Sequence, residues 1–454
     1  MLTLGIDSST QGAKAVVYDA TAGRVVSSSA VNYGRDLPEF GSPDGFLPDG
    51  DPRVRRARPG MWVRGLELVL ARLRDAGAPM GDVAAVGGCA QQHATVCLDA
   101  HGGFTRGESP IWMDSSTGSE VAALDARFGK ALQERTGSPA VERFAAAQLM
   151  KFAREEPDAW RRTARVHLLS SFLTSLLAGE DAPVDVGDGA GMNLMDLRSL
   201  EWDAEVCSFV APGLLGKLPR IHRPGGLAPC RLAPRFAEFG LRPGIPVAPL
   251  TGDNPASLVG CGAERPGCAV VSLGTSDTFF AAMPEFRTDP EGCGHVFGNP
   301  CGGFMSLCCF KNGSLARDRV RRECGVDWTF FDETAFGLTP SGNGGRRAFP
   351  YFEVEITPRH GATGVEANFD WDAAPPEAKI RAVVEGQVAN MRERTRWIGD
   401  FGTIYVTGGA SRSKGILSVV ADVFGAEVRT LDAADSAAVG GARLAAAAAK
   451  GEGK

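Results

Sequence analysis

Short apolar runs of period two alternate along this chain with longer stretches of period 3.6. The first run, Leu2 to Ile6, is followed by Asp7, Ser8, Ser9, Thr10, Gln11 and Gly12, and then by Ala13-Lys14-Ala15-Val16-Val17-Tyr18. That order predicts two strands joined by a tight polar turn. Further strands are expected at Val83–Val86, Ala269–Ser272 and Thr403–Val406. Between them, Met61 to Arg74 and Lys379 to Arg396 read as helices. The first of these puts Trp62, Leu66, Leu68, Val69, Leu70 and Leu73 on a broad apolar face. Strands interleaved with helices make the expected fold class α/β. The run RPGIPVAPL at 242 to 250, with three prolines, suggests a division into domains 1–247 and 248–454.

Just past that division the opening pattern returns as Val270-Val271-Ser272-Leu273-Gly274-Thr275-Ser276-Asp277-Thr278-Phe279-Phe280. Two such turns, each near the start of a half, suggest related domains whose phosphate-facing hairpins share a cleft. A third glycine turn, Thr407-Gly408-Gly409-Ala410-Ser411, follows a strand and precedes a helix marked by Ile416, Leu417, Val419, Val420, Val423 and Phe424. Glycines there let backbone approach a nucleotide, and a helix N-terminus offers unpaired amides.

Composition narrows the class. The chain has 454 residues, 44% of them hydrophobic and 22% charged, which is globular and long enough for more than one core. A net charge of −6 argues against nucleic acid or an anionic membrane surface as partner. Asp7 interrupts the apolar N-terminal run that a signal peptide would need, and no apolar run reaches a membrane-spanning length, so a cytoplasmic protein is expected. Eleven cysteines, an odd number, fit reduced thiols. Cys293, Cys301, Cys308 and Cys309, with His295, lack a C-x-x-C knuckle, and Cys308-Cys309 lies in the apolar run MSLCCF, so core thiols are expected there rather than zinc. Residues 32 to 58, rich in Pro, Gly, Asp and Arg, read as a surface excursion.

Beyond the three turns, the blocks GGCAQQHATV at 87, SPIWMDSST at 109, LLSSFLTSLLAG at 168, DGAGMNL at 188, LTGDNPASLVGCG at 250, CFKNGSLAR at 309 and VTGGASRSKGILSVVADVFGAEV at 406 are collinear. With them the chain resembles the FGGY family of carbohydrate kinases. The resemblance implies two actin-like ATPase, RNase H-like domains with sugar and ATP meeting in an interdomain cleft that closes on substrate. It also implies a monomer or homodimer. The implied reaction, most similar to that of members acting on D-xylulose, is transfer from ATP with Mg²⁺ to give D-xylulose 5-phosphate. The alternatives are another ketose or polyol such as ribulose, or a catalytically silent sugar sensor. Phosphoryl transfer asks the protein mainly for positioning, charge neutralisation and a proton acceptor.

By the same resemblance Asp253 is the general base and Asp7 holds the metal through water. His93, Arg165, Asp253, Asn254 and Gln92 contact the sugar. Thr10, Gly274, Thr275 and Ser276 face the phosphates, while Trp328, Gly408, Gly409 and Ser413 line the adenosine side. Asp114 is expected to order the pocket wall. After Gly-Gly-Ala-Ser the chain reads Arg412-Ser413, where related members tend to carry His-Asn.

Overall fold

The computed structural model describes residues 1–226, 229–431 and 435–451. Contacts divide the chain into one unit of residues 1–260, 297–304 and 435–454, and another of 261–296 and 305–434.

In the first unit, β1 (Leu2–Ser8), β2 (Gly12–Asp19) and β3 (Arg24–Asn32) form a meander, followed by α1 (Pro59–Asp75) and β4 (Val83–Ala90). Next come β5 (Thr95–Leu98), β6 (Arg165–Leu168), α2 (Leu169–Ala178), α3 (Val186–Gly189), β7 (Cys230–Arg231), β8 (Pro246–Val247), β9 (Thr251–Gly252) and α4 (Asp253–Gly260). The main sheet runs β7-β8-β4-β1-β2-β3, with β9 also on β4. β1 is antiparallel to β2 and parallel to β4.

The second unit repeats this plan with β10 (Cys268–Leu273), β11 (Asp277–Met283), β12 (His295–Gly298), β13 (Phe304–Phe310), α5 (Ser314–Glu323), α6 (Pro376–Arg394), β14 (Thr403–Thr407), α7 (Lys414–Phe424) and β15 (Glu427–Thr430). Its sheet order is β12-β13-β11-β10-β14-β15. Here β10 is antiparallel to β11 and parallel to β14, as β1 is to β2 and β4.

α1 forms as its pattern requires. Pro59 opens it with φ already suited to a helix, and Met61, Trp62, Leu66, Val69, Leu70 and Leu73 are buried. Each large apolar side chain so buried contributes about 1.5–3 kcal/mol relative to exposure. α6 begins three residues before the expected start, because Pro376 supplies the same kind of opening.

The first unit extends to Gly260, where the proline-rich run had suggested an end at 247. The reason is that β9 pairs with β4 and α4 packs on α8 (Ser436–Gly451). A Cβ on Gly440 would lie 1.9 Å from the Ala256 carbonyl oxygen, and one on Gly260 would lie 1.9 Å from that of Ser436. Only glycine allows so close an approach, which fixes where α4, and with it Asp253, begins.

Residues 32 to 58 are less superficial than expected. Tyr33 is fully buried, and its hydroxyl lies 2.9 Å from Ser8 Oγ. The segment therefore braces the first turn from beneath. All eleven cysteines are free thiols. No helix among the described residues is long and apolar enough to cross a membrane.

Candidate functional site

Three parallel strands end side by side in the first unit. Asp7 on β1 pairs with Cys89 on β4, and Cys89 pairs with Thr251 on β9. Asp7 therefore stands at the end of one strand and Asp253 directly after another, where open α/β sheets carry their ligands. Cys89 Sγ donates to Asp7 Oδ1 at 3.5 Å.

Both carboxyl groups keep a partial opening to solvent, yet the protein around them strips away most hydration. Desolvation pushes Asp7 up to about 6, against lowering by Cys89 and Lys14. It pushes Asp253 up to about 7, with the charge of Asp7 adding to the rise. Lys14, opposite Asp7 across the hairpin, forms an ion pair with Asp435.

A line of amides leads to Asp253. Gln92 Oε1 accepts from Asn254 Nδ2 at 2.9 Å, and the same Nδ2 donates to Asp253 Oδ1 at 3.1 Å. The Asn254 backbone N–H also donates to Oδ1, at 2.8 Å. His93 follows Gln92 with φ of +70°, a conformation uncommon for histidine, so its ring is held where the surrounding fold demands. Its Nδ1 lies 3.0 Å from the Gly191 carbonyl oxygen, which can only accept, so Nδ1 carries a proton. The ring stacks on Phe144 at 4.4 Å.

Arg165 does not join this group. It pairs with Leu98 at the end of the β5/β6 ladder remote from Thr95, is exposed, and lies 3.7 Å from Asp181. A different guanidinium, that of Arg143, which is not among the residues the resemblance implies, sits 5.5 Å from the centre of the Phe144 ring that stacks on His93. The adjacency of Arg143 to an aromatic residue was visible in the run Glu142-Arg143-Phe144, but the pairing of Phe144 with His93 was not.

Thr10 lies in the first turn, where its Oγ1 accepts from Trp112 Nε1 at 2.8 Å. Asp114 is buried and accepts from the Arg55 backbone, from Ser116 and from Gln148. Burial alone would raise its pKa, and these bonds outweigh burial and hold it below the ordinary value. Its role is that of a strut between loops.

In the second unit, Ser272 on β10 pairs with Thr407 on β14, so the turns that follow the two strands are neighbours. Thr275 and Ser276 are exposed at the tip of one. Gly408 has φ of +91°, and a Cβ there would lie 2.4 Å from the Leu273 carbonyl oxygen, while Gly409 faces open space. Gly274 accepts from the Ser314 amide at 2.9 Å. Ser413 is buried and caps α7, accepting from the Ile416 N–H at 3.3 Å. Trp328 is 45% exposed, edge-on to Phe331, with Arg321 over its ring at 4.9 Å. It thus presents an aromatic surface to solvent instead of filling a core.

Asp7 fits a hard divalent cation. Carboxylate oxygen is the donor that Mg²⁺ takes, and desolvation of both Asp7 and Asp253 leaves negative charge that a cation would relieve. No group of three or more His, Cys, Asp or Glu among the described residues is arranged to hold a metal ion.

Residues 2–260 match the N-terminal domain of the FGGY family of carbohydrate kinases, and residues 269–449 match its C-terminal domain. The chain is 37% identical over 473 residues to a xylulose kinase of Rattus norvegicus, covering 97% of this chain and 87% of the relative. It is 34% identical to xylulose kinase 2 of Arabidopsis thaliana, covering 98% and 87%. Among solved structures, xylulose kinase from Bifidobacterium adolescentis superimposes with a TM-score of 0.85 at 25% identity, covering 100% of this chain and 93% of the other. A xyloylose kinase from Brucella ovis gives 0.84 at 27% identity, covering 99% and 91%. The chain belongs to the FGGY family of carbohydrate kinases and has its two-domain, actin-like ATPase fold; it is an ATP-dependent sugar kinase.

Proposed function

We propose that this kinase phosphorylates D-xylulose, giving D-xylulose 5-phosphate and ADP, with Mg²⁺ as the metal. The observation that carries the reading is Asp253, a carboxyl raised to about 7 at the end of a parallel strand, with its Oδ1 tied to Asn254. A base is most effective when its pKa lies near the working pH, and burial brings a carboxylate, ordinarily too weak, into that range. The choice of D-xylulose is supported by the names of the relatives.

In this reading Asp253 takes the proton of the attacking sugar hydroxyl. Asn254, Gln92, the His93 imidazole and the Arg143 guanidinium supply the convergent donors and acceptors that a polyol requires. Asp7 would hold Mg²⁺, which when bound neutralises phosphate charge. In the second unit, the exposed hydroxyls of Thr275 and Ser276 approach the phosphates. Gly408 and Gly409 give the nucleotide access to backbone, and Trp328 offers adenine a face.

The test is ADP release by the purified protein against D-xylulose, D-ribulose, glycerol and gluconate. D-Xylulose is expected to give the highest kcat/KM. A preference of about tenfold for another sugar, equivalent to about 1.4 kcal/mol, overturns the substrate while leaving the kinase intact. No turnover with any sugar overturns the catalytic assignment and favours a sensor.

A further inference from the structure

The amide line that ends on Asp253 starts in the interior. Asp188 on α3, from the run DGAGMNL, is fully buried, and Ser170 on α2 donates to its Oδ2. Its Oδ1 has no hydrogen-bond partner. Gln92 lies beside it, only 3% exposed, and the Gln92 Nε2 also lacks a partner within hydrogen-bond range. The other end of the same amide is committed, since Oε1 accepts from Asn254.

We propose that Asp188 is a positioning residue for the sugar-phosphorylation site, which sets the direction of the amide line Gln92–Asn254–Asp253 by offering Gln92 only an acceptor. The inference rests on Asp253 being the base. A primary amide has one accepting end and one donating end. Beside a carboxyl oxygen, Gln92 turns Nε2 inward and Oε1 toward Asn254. Asn254 must then turn Nδ2 toward both Gln92 and Asp253, so Asp253 receives donors on Oδ1 and keeps Oδ2 for the sugar hydroxyl. The reverse direction would set the Asn254 oxygen against the Asp253 carboxylate.

Burial lifts Asp188 to about 8, and the charges of Asp253 and Asp185 add to the rise against lowering by Ser170 and Gln92. In the ionised form Oδ1 can only accept, and in the neutral form the direction holds with the acid proton on Oδ2, where the Ser170 hydroxyl accepts it and leaves Oδ1 as the acceptor. A desolvated carboxyl is a costly way to fill space, and an apolar side chain of the same size would serve a purely structural site better.

Two variants separate positioning from structure. Asp188→Leu removes the acceptor and keeps the branched outline of the side chain with bulkier ends, and Asp188→Asn can still turn an oxygen toward Gln92. Asp188→Leu is expected to melt near the wild-type temperature, because relief of the buried carboxyl offsets its extra volume, and to keep the KM for ATP within about twofold. Its kcat/KM for the best sugar is expected to fall roughly 10- to 100-fold, the usual cost of losing a partner that orients a working group. Asp188→Asn is expected to lie between it and wild type. Wild-type sugar kinetics in Asp188→Leu overturn the inference, as does a joint fall of melting temperature, ATP and sugar parameters. If Asp188→Leu does not fold, the same split at Asp188→Asn, several-fold in sugar kcat/KM alone, supports the inference and wild-type kinetics overturn it. Running every variant on the full sugar panel keeps the tests apart: a wild-type preference for another sugar overturns the substrate reading and leaves this comparison measurable on that sugar.

Discussion

Asp7 and Asp277 flank equivalent turns in the two repeats and behave oppositely. Asp7 ends β1 before its turn, accepts one bond from a thiol, and is raised to about 6 by burial. Asp277 opens β11 after the matching turn and is buried against Arg317, whose Nη1 and Nη2 donate to its two oxygens at 2.7 and 2.9 Å. The same arginine reaches Ser314, whose amide holds Gly274. One carboxylate is therefore a strut under the Gly274–Ser276 turn, and the other remains a desolvated, poorly neutralised group. The scaffold is common to both repeats, and the presence or absence of one arginine divides the roles.

The largest effect should come from the reactive side. Asp253→Asn preserves shape and hydrogen bonding but removes the proton acceptor, so kcat should fall roughly 10²- to 10⁴-fold while sugar and nucleotide still bind. Calorimetric titration beside steady-state turnover checks this. Full turnover with retained binding would remove Asp253 from the mechanism.

The strut should fail differently. Arg317→Met leaves Asp277 buried without its partner, and the expected loss is about 3–5 kcal/mol of stability, measured by urea unfolding. Asp277→Leu combined with Arg317→Met should recover most of it, because two apolar side chains need no compensation there. Asp7→Asn should leave stability unchanged or higher, since it relieves a desolvated carboxyl. Equal losses at Asp7 and Asp277 would erase the contrast between the repeats.

Much of this plan was legible in residue order. The hairpin at Asp7, its echo at Gly274, and the third turn at Gly408 are local patterns of period and glycine, and the structure has strands and turns at each. The collinear blocks pointed to the family. What stayed hidden depends on contacts between distant segments. The end of the first unit at Gly260 rests on glycines of α8, nearly two hundred residues beyond α4 in the chain. Asp188 sits in a small-residue run whose burial no periodicity announces. Arg165 came from the resemblance alone, and only the register of β5 on β6 and the stacking of Phe144 on His93 set it apart from Arg143.

That last distinction gives a smaller, direct test. Arg143→Ala should raise the KM for sugar about tenfold, the scale of one lost charge-assisted hydrogen bond, with the KM for ATP unchanged. Arg165→Ala should stay within about twofold on both, because an exposed ion pair such as that with Asp181 contributes little. A sugar-specific defect at Arg165 with none at Arg143 would reverse the assignment.

The smallest effect concerns pH, and it sets activity against stability. Asp253 must be ionised to act as a base, so kcat/KM should rise with pH to a plateau above about 7, the value to which burial and the charge of Asp7 bring it. Stability runs the other way. A carboxyl whose folded-state pKa is raised holds its proton more tightly folded than unfolded. Its contribution is fully present below the unfolded value of 3.8 and is lost as pH rises through the folded values, about 6 for Asp7 and about 7 for Asp253. The ligand-free protein should therefore lose stability, and with it melting temperature, between pH 5 and pH 8 on account of these groups. Other titrating groups contribute to the total, so the measurement is the difference in slope between wild type and Asp253→Asn at fixed ionic strength. The variant should show the flatter decline across that window. An unchanged slope would mean that the Asp253 carboxyl is not desolvated in the free protein, and its strength as a base would then have to arise when substrate arrives.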